Sequence, residues 1–173
     1  MRKLRNTATM TTAAMLLAVG IILGLFTLPI NQFIEIRFGS VPISIGGYLF
    51  GPGVSAVIGA LSDIGGFIVK PTGPYFPGFT ISGIISGLIF GFFLYKKEMT
   101  WQRVFAAQAV NTVIVNILLN SLWLTILYGT STYPAIMISR IPKELILLPV
   151  LTVIMMAVTK SMERIHVFAE MRA

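Results

Sequence analysis

Long stretches without any charged residue dominate this chain and set the strongest limit on its fold. A helix needs about 20 residues to cross about 30 Å of hydrocarbon, so most of these stretches are long enough to span a bilayer. Only 11% of the residues are charged and the mean hydropathy is +0.87, whereas about 25% of an average soluble domain is charged. The chain is therefore predicted to be a small polytopic membrane protein. The uncharged stretches are residues 6–34, 38–62, 71–95, 104–139 and 145–159.

Glycine and proline residues divide the uncharged stretches into six predicted helices within a single domain, residues 1–173. Pro29 is expected to end the first helix, and Gly51-Pro52-Gly53 to separate the second helix from the third. Pro142 is placed in the first turn of the sixth helix, where proline is well tolerated. The second helix, of about nine residues, rises only about 14 Å and is too short to span the membrane. The predicted all-α bundle has helices at about 8–28, 42–50, 53–69, 77–95, 103–128 and 141–163.

Basic residues are distributed unequally between the two ends of these helices. With the N-terminus inside, the inner segments hold nine lysines and arginines and the outer segments hold four. Because positive residues are enriched in cytoplasmic loops, both termini are predicted to lie in the cytoplasm. The net charge of +7 then reflects membrane topology, and no nucleic-acid partner is expected. The four outer cations are Arg37, Lys70, Arg140 and Lys143.

Catalytic motifs and metal-binding clusters are not recognisable in the sequence. The chain has no cysteine and a single histidine, His166, which falls in the predicted cytoplasmic tail. This composition excludes His/Cys metal sites and Ser-His or Cys nucleophiles of the usual kind. There is also no Walker A loop with which the chain could use ATP by itself. We therefore expect neither an enzyme nor a bound metal or cofactor.

Asp63 is the most informative of the acidic residues because it falls inside the third predicted helix. A carboxylate in a membrane helix costs roughly 2.5–3.5 kcal/mol on insertion scales unless a partner or an aqueous cavity compensates it. Asp63 can form a structural ion pair, for instance with Arg140, or line a polar pocket that opens to the outside. Lys70 follows two helical turns later and can share its face. Lys143 and Glu144 lie at the start of the sixth predicted helix, on the same outer side.

The fifth predicted helix carries a polar stripe. Gln108, Thr112, Asn116 and Asn120 recur every four residues, and residues four apart lie on one helical face. Buried amides must be hydrogen-bonded, so the stripe can join neighbouring helices or contact a ligand. Gln108, nearer the cytoplasm, is expected to form contacts between helices. For Asn116 and Asn120, which lie nearer the outer cations, both interpretations stay open.

Aromatic residues are concentrated on the same outer side. Tyrosine and tryptophan commonly form a belt at the membrane interface, but their faces can also stack on a flat ring. The sequence alone does not separate these two interpretations. The outer aromatic residues are Tyr75, Phe76, Phe79, Trp123, Tyr128 and Tyr133.

Small residues recur at a spacing of four in two of the predicted helices. Gly83, Gly87 and Gly91 form such a stripe in the fourth helix, and small residues allow helices to approach closely. Ala14 and Ala18 have the same spacing in the first helix. They can serve internal packing or dock a partner.

Four runs of residues, in this order, resemble the membrane substrate-binding subunits (S components) of energy-coupling-factor (ECF) vitamin transporters. They are Ile36 to Ile43 (IRFGSVPI), Leu49 to Pro52 (LFGP), Gly59 to Asp63 (GALSD) and Lys70 to Thr80 (KPTGPYFPGFT). The last run is most similar to the folate-specific members. Folate-type members often carry an arginine near the end of the first helix, where this chain has Leu25.

This resemblance implies a subunit in the plasma membrane of a prokaryotic cell that binds its vitamin from the outside. The subunit would dock on a transmembrane coupling protein driven by two cytoplasmic ATPases, topple in the membrane and release the vitamin inside. In this family the small residues of the first helix form the docking face, which corresponds here to Ala14 and Ala18.

Folate fits the residues available for binding. A carboxylate, Asp63 or Glu144, can hold the amino-pyrimidinone edge of the pterin, aromatic rings can sandwich it, and cations can bind the anionic glutamate tail. Three alternatives stay open: an S component for another vitamin such as pantothenate, a self-sufficient secondary transporter, and a structural membrane protein without a ligand. The predicted binding residues are Arg37, Asp63, Lys70, Tyr75, Phe79, Asn116, Asn120, Trp123, Arg140, Lys143 and Glu144.

Overall fold

The described part of the chain forms six helices, as the sequence predicted. The computed structural model describes residues 7–26, 28–31, 34–36, 38–71, 74–129 and 133–163; Arg37 and His166 lie outside them. Within this part, four helices are long and apolar enough to cross a membrane. The helices are α1 (Thr7–Leu25), α2 (Ser40–Phe50), α3 (Pro52–Val69), α4 (Pro77–Leu94), α5 (residues 101–128) and α6 (Tyr133–Glu163).

The chain after α1 forms a short antiparallel hairpin that the sequence analysis did not predict. Strand β1 (Leu28–Asn31) pairs with β2 (Ile34–Ile36), with Leu28 opposite Ile36. The first helix therefore ends at Leu25 and not near residue 28. Pro29 explains the earlier end, because proline disfavours helical geometry in the residue before it and cannot donate a backbone hydrogen bond.

Helix α6 begins at Tyr133, eight residues before the predicted start at residue 141. Pro134 lies in its first turn, the position that the sequence analysis gave to Pro142. Pro142 and Pro149 instead lie inside the helix. Interior prolines each remove one backbone hydrogen bond, which membrane helices tolerate where neighbouring groups satisfy the exposed carbonyls.

The short helix α2 lies inside the bundle and not against lipid. All ten residues from Val41 to Phe50 are buried. Tyr48 and Leu49 pack in the main apolar core with residues such as Phe90, Leu94 and Met155, each at most 2% exposed. A helix too short to span the membrane is stable here because the protein surrounds it on every side.

Glycine residues bring α3 and α4 into backbone contact. A Cβ atom at Gly59 would collide with the backbone of Gly83, and one at Gly87 would collide with the backbone of Ser55. Gly91 makes the same kind of approach to Pro52, where α3 begins. The glycine stripe of α4 is therefore a packing surface, as its spacing predicted.

Helix α5 is continuous but changes its winding in the middle. Its first segment, Trp101–Asn111, and its last segment, Asn120–Tyr128, are α-helical, and the segment between them, Thr112–Leu119, is a π-helix. The Asn120 N–H donates to the Val115 carbonyl five residues earlier, as in a π-helix. In the π-helical segment each backbone hydrogen bond joins residues five apart instead of four, which changes the side chains that face the bundle interior.

Candidate functional site

A cavity of about 300 Å³ lies between the helices, and all six of them contribute to its wall. It lies at the end of the bundle that carries the loop before α4 and the first part of α6. Nine of the eleven predicted binding residues line it: Asp63, Lys70, Tyr75, Phe79, Asn116, Asn120, Arg140, Lys143 and Glu144. Arg37 is outside the described residues, and Trp123 is the remaining one.

A chain of hydrogen bonds holds the Asp63 carboxylate on one side of the cavity. Thr80 Oγ1 donates to Asp63 Oδ2 at 2.7 Å, and the Tyr75 hydroxyl oxygen lies 2.8 Å from Thr80 Oγ1. Because Thr80 has only one hydroxyl hydrogen, Tyr75 must be the donor in the second bond. Tyr75 also packs edge-on against Phe67, with the ring centroids 5.2 Å apart. Thr80 was not among the predicted binding residues, although it belongs to the run that carried the folate-type resemblance.

A second acidic group, Glu144, joins α5 to α6 in the cavity wall. Lys143 Nζ lies 2.8 Å from Glu144 Oε1, and Asn116 Nδ2 donates to Glu144 Oε2 at 3.0 Å. The Lys143 and Glu144 side chains are only 10% and 4% exposed. Both carboxylate oxygens therefore have a protein partner, and Asn116 connects two helices while it also lines the cavity.

Trp123 supports the cavity wall from behind. Trp123 is not among the described residues that line the cavity. Its Nε1 donates to Ser82 Oγ at 3.0 Å, and Ser82 does line the cavity. Its ring also packs against Phe76, another lining residue, with the centroids 5.7 Å apart. A Cβ atom at Gly78 would collide with both rings, so this glycine allows them to meet.

The polar stripe of α5 does not face the cavity as a single line. Asn116 and Asn120 line the cavity, whereas Gln108 and Thr112 are not among the described lining residues. Asn111 takes their place, five residues before Asn116. The π-helical winding accounts for this change, because a turn with i→i+5 hydrogen bonds holds more residues than an α-helical turn and brings Asn111 and Asn116 onto one wall. A four-residue spacing counted along the sequence cannot reveal Asn111.

Several polar atoms of the cavity lining are buried without a hydrogen-bond partner among the described residues. Native structures pair the large majority of buried polar atoms, so each exception calls for a ligand, a water molecule or another explanation. A binding cavity is such an explanation, since a bound molecule can satisfy these atoms. The atoms are Ser40 Oγ, Ser62 Oγ, Asn111 Oδ1 and Asn120 Oδ1.

Comparison with known proteins identifies the family. Residues 8–159 match the model of the substrate-specific component of ECF transporters. The chain belongs to this family. It is therefore a membrane protein and a transporter component, and the family resemblance found in the sequence is confirmed.

Proteins similar to this chain in sequence include two folate transporters. The folate transporter FolT of Clostridium novyi (strain NT) is 35% identical over 137 residues, which are 79% of each chain. The folate transporter FolT of Leuconostoc mesenteroides subsp. mesenteroides is 34% identical over 142 residues, covering 79% of this chain and 76% of the relative.

Two solved structures have the same architecture as this chain. A crystal structure of FolT bound with folic acid superposes with a TM-score of 0.79 at 35% identity, over 87% of this chain and 91% of that chain. A structure of the S component of a bacterial ECF transporter has a TM-score of 0.67 at 19% identity, over 90% and 95% of the two chains. At that lower identity the similarity supports the fold alone.

Proposed function

We propose that this S component captures folate outside the cell and delivers it inward with an ATP-driven energy-coupling module. The cavity is the observation that carries this proposal. Its volume of about 300 Å³ is at the lower end of the range for small-molecule sites. Its lining combines an acid, asparagine amides, aromatic rings and cations, and the likeness to folate transporters favours folate over other vitamins.

Asp63 is the better candidate for the carboxylate that holds the pterin edge. Both oxygens of Glu144 already have protein partners, in Lys143 and Asn116. The Thr80 hydroxyl donates to Asp63 Oδ2 and connects this carboxylate to Tyr75, an aromatic residue of the same cavity lining. A carboxylate has about four acceptor sites, so Asp63 can accept hydrogen bonds from an amino-pyrimidinone edge in addition to those it accepts within the protein.

Aromatic residues are then assigned to the faces of the pterin ring, and cations to the anionic glutamate tail. Tyr75 and Phe79 line the cavity near Asp63 and can stack on the pterin ring. Arg140, which is 8% exposed, can bind a carboxylate of the glutamate tail with two parallel hydrogen bonds. Lys70 is exposed at the end of α3 and can attract the anionic tail to the cavity. A contact from Arg37 to the tail stays a prediction.

A binding titration with two ligands tests this division. Arg140→Ala should weaken the binding of folic acid more than that of pteroic acid, which has the same ring but lacks the glutamate. Tyr75→Ala should weaken both by about the same factor. If no variant separates the two ligands, the assignment of cations to the tail is wrong. If the unmodified protein binds pantothenate and not folic acid, it is an S component for another vitamin.

We also propose that α1 docks on a transmembrane coupling protein that works with two cytoplasmic ATPases. Ala14 and Ala18 are exposed on one face of α1, beside exposed apolar residues such as Met15 and Ile22. Their small side chains would let another helix approach closely. Uptake that requires the coupling protein and the ATPases supports this proposal. Uptake by the chain alone, driven by an ion gradient, would instead identify a self-sufficient secondary transporter.

The proposed location is the plasma membrane, with both termini in the cytoplasm. The native chain has no cysteine, so single cysteines can report the orientation. Pro71→Cys, in the exposed loop before α4, should react with a membrane-impermeant maleimide on intact cells. Glu98→Cys, in the exposed loop before α5, should react only after the membrane is permeabilised. The reverse pattern would invert the orientation and would contradict capture from the outside.

A further inference from the structure

Asn111 is a buried amide that faces the ligand cavity and is not explained by the packing of the helices. It is only 2% exposed and belongs to the cavity lining. Its Oδ1 atom has no hydrogen-bond partner among the described residues. An amide buried in this way costs free energy unless something satisfies it. A molecule bound in the cavity can provide the missing hydrogen bond.

The winding of α5 places Asn111 on the same wall as the other two asparagines. Asn111 and Asn116 are separated by five residues, and both line the cavity. Val113 and Ile114, between them, are 51% and 38% exposed on the outer surface of the bundle. Val115 and Asn116, four and five residues after Asn111, both line the cavity, which is the spacing expected where backbone hydrogen bonds join residues five apart. Single π-helical turns inside α-helices are frequent at functional sites.

Asn111 lies deeper in the bundle than the charged residues of α6. Asn116 is hydrogen-bonded to Glu144, which fixes the relative height of α5 and α6. Asn111 lies one turn beyond Asn116, away from the loop before α4. Leu151 lines the cavity seven residues after Glu144, and consecutive helices run in opposite directions, so Leu151 reaches the same deep region. This end of the cavity thus combines an amide with apolar side chains.

We propose that Asn111 contacts the ligand at the deep end of the cavity and recognises its uncharged ring. An amide offers both a donor and an acceptor, which suits a heteroaromatic edge that also carries both. Charged parts of the ligand remain near Lys70, Arg140 and Lys143. This inference rests on the proposed function, because it assigns a further contact within the same ligand site.

Gln108 provides a matched control one helical turn away. It is also an amide of α5 and is 0% exposed, and neither of its amide atoms has a hydrogen-bond partner among the described residues. In contrast to Asn111, it is not part of the described cavity lining. Asn111→Leu and Gln108→Leu therefore make the same chemical change in similar surroundings, but only the first alters the cavity wall.

The experiment is a titration of the purified full chain in detergent with folic acid and with pteroic acid. Asn111→Leu should weaken the binding of both ligands at least tenfold and by similar factors, because both carry the ring. Gln108→Leu should bind both ligands as tightly as the unmodified protein. Asn111→Ala repeats the test with a side chain too small to obstruct the cavity. The melting temperature of each ligand-free variant shows that it is folded.

Unchanged binding by Asn111→Ala would overturn this inference while the proposed function stands. An equal loss in Gln108→Leu would also overturn it, because the effect would then come from the buried amides in general. A loss confined to folic acid would place Asn111 at the tail and contradict its assignment to the ring. If the unmodified protein binds neither ligand, the proposed function itself fails.

Discussion

Replacing Thr80 by valine removes one hydroxyl group and nearly preserves the shape of the side chain. This hydroxyl donates to Asp63 Oδ2 at 2.7 Å and accepts from the Tyr75 hydroxyl at 2.8 Å. Thr80→Val therefore breaks both bonds of the chain that orients the carboxylate. We expect the variant to fold, but with an Asp63 side chain that is held less firmly because the bond from Thr80 is lost.

The two bonds contribute unequally to stability. A hydrogen bond to a charged group contributes about 1.5–3 kcal/mol and one between neutral groups about 0.5–1.5 kcal/mol. Tyr75 is 44% exposed, so its hydroxyl can bind water after the substitution. Losing its hydrogen bond to Thr80 therefore costs little stability. Asp63 is half-buried, which favours the lower part of the first range. We expect Thr80→Val to lower the free energy of unfolding by about 1.5–2 kcal/mol.

Ligand binding should fall with the loss of carboxylate orientation. If Asp63 holds the pterin edge, Thr80→Val should weaken folic acid binding about tenfold, which corresponds to about 1.4 kcal/mol. The assays are a denaturant titration of the detergent-solubilised protein and a binding titration with folic acid. Thr80→Ser keeps the hydroxyl and serves as the control. If the valine and serine variants bind folic acid equally well, Thr80 does not position Asp63 for the ligand.

Other substitutions test the remaining parts of the structure. Glu144→Gln removes the carboxylate that lies 2.8 Å from Lys143 Nζ and should lower the free energy of unfolding by about 3–5 kcal/mol. Adding Lys143→Met should recover most of this loss in the same denaturant titration, and no recovery would show that the pair is not coupled. Gly87→Ala places a methyl group against the backbone of α3 and should destabilise the protein by about 1–3 kcal/mol, whereas an unchanged melting temperature would contradict the backbone contact. Ala14→Trp and Ala18→Trp should abolish uptake into cells and leave folic acid binding intact, and loss of both activities would indicate a misfolded subunit.

The six helices were predictable because the uncharged stretches have the length that a bilayer requires. Their ends were less predictable, because proline can end, start or interrupt a helix. Pro142 fits the first turn of a helix as well as the interior of a longer one, and only the structure shows that Pro134 begins α6. Pro29 indicated the end of α1, but the hairpin beyond it depends on pairing between Leu28 and Ile36, which the charge pattern does not reveal.

The candidate site was partly predictable for a similar reason. Charged residues are costly inside a membrane segment, and tyrosine and tryptophan are concentrated at the membrane interface. The presence of both kinds of residue at one end of the bundle therefore pointed to a common site. The supporting contacts of Thr80 and Trp123 could not be predicted, because they depend on how the helices pack in three dimensions. The position of Asn111 in the cavity lining could not be predicted either, because it depends on the backbone winding of α5. The four-residue spacing that led to Gln108 and Thr112 does not hold through the π-helical segment.

The pairing of the charged residues limits how they can act on an anionic ligand. Lys143 and Glu144 are in contact at 2.8 Å, and both are largely buried, so their charges compensate each other within the wall. A second carboxylate that approached Lys143 would also approach Glu144 and be repelled by it. Arg140, on the same face one turn earlier in α6, presents a planar group that can bind a carboxylate through two hydrogen bonds. Because a guanidinium matches a carboxylate with two bonds and an ammonium does not, the glutamate tail should depend more on Arg140 than on Lys143, so Lys143→Met should weaken folic acid binding less than Arg140→Ala.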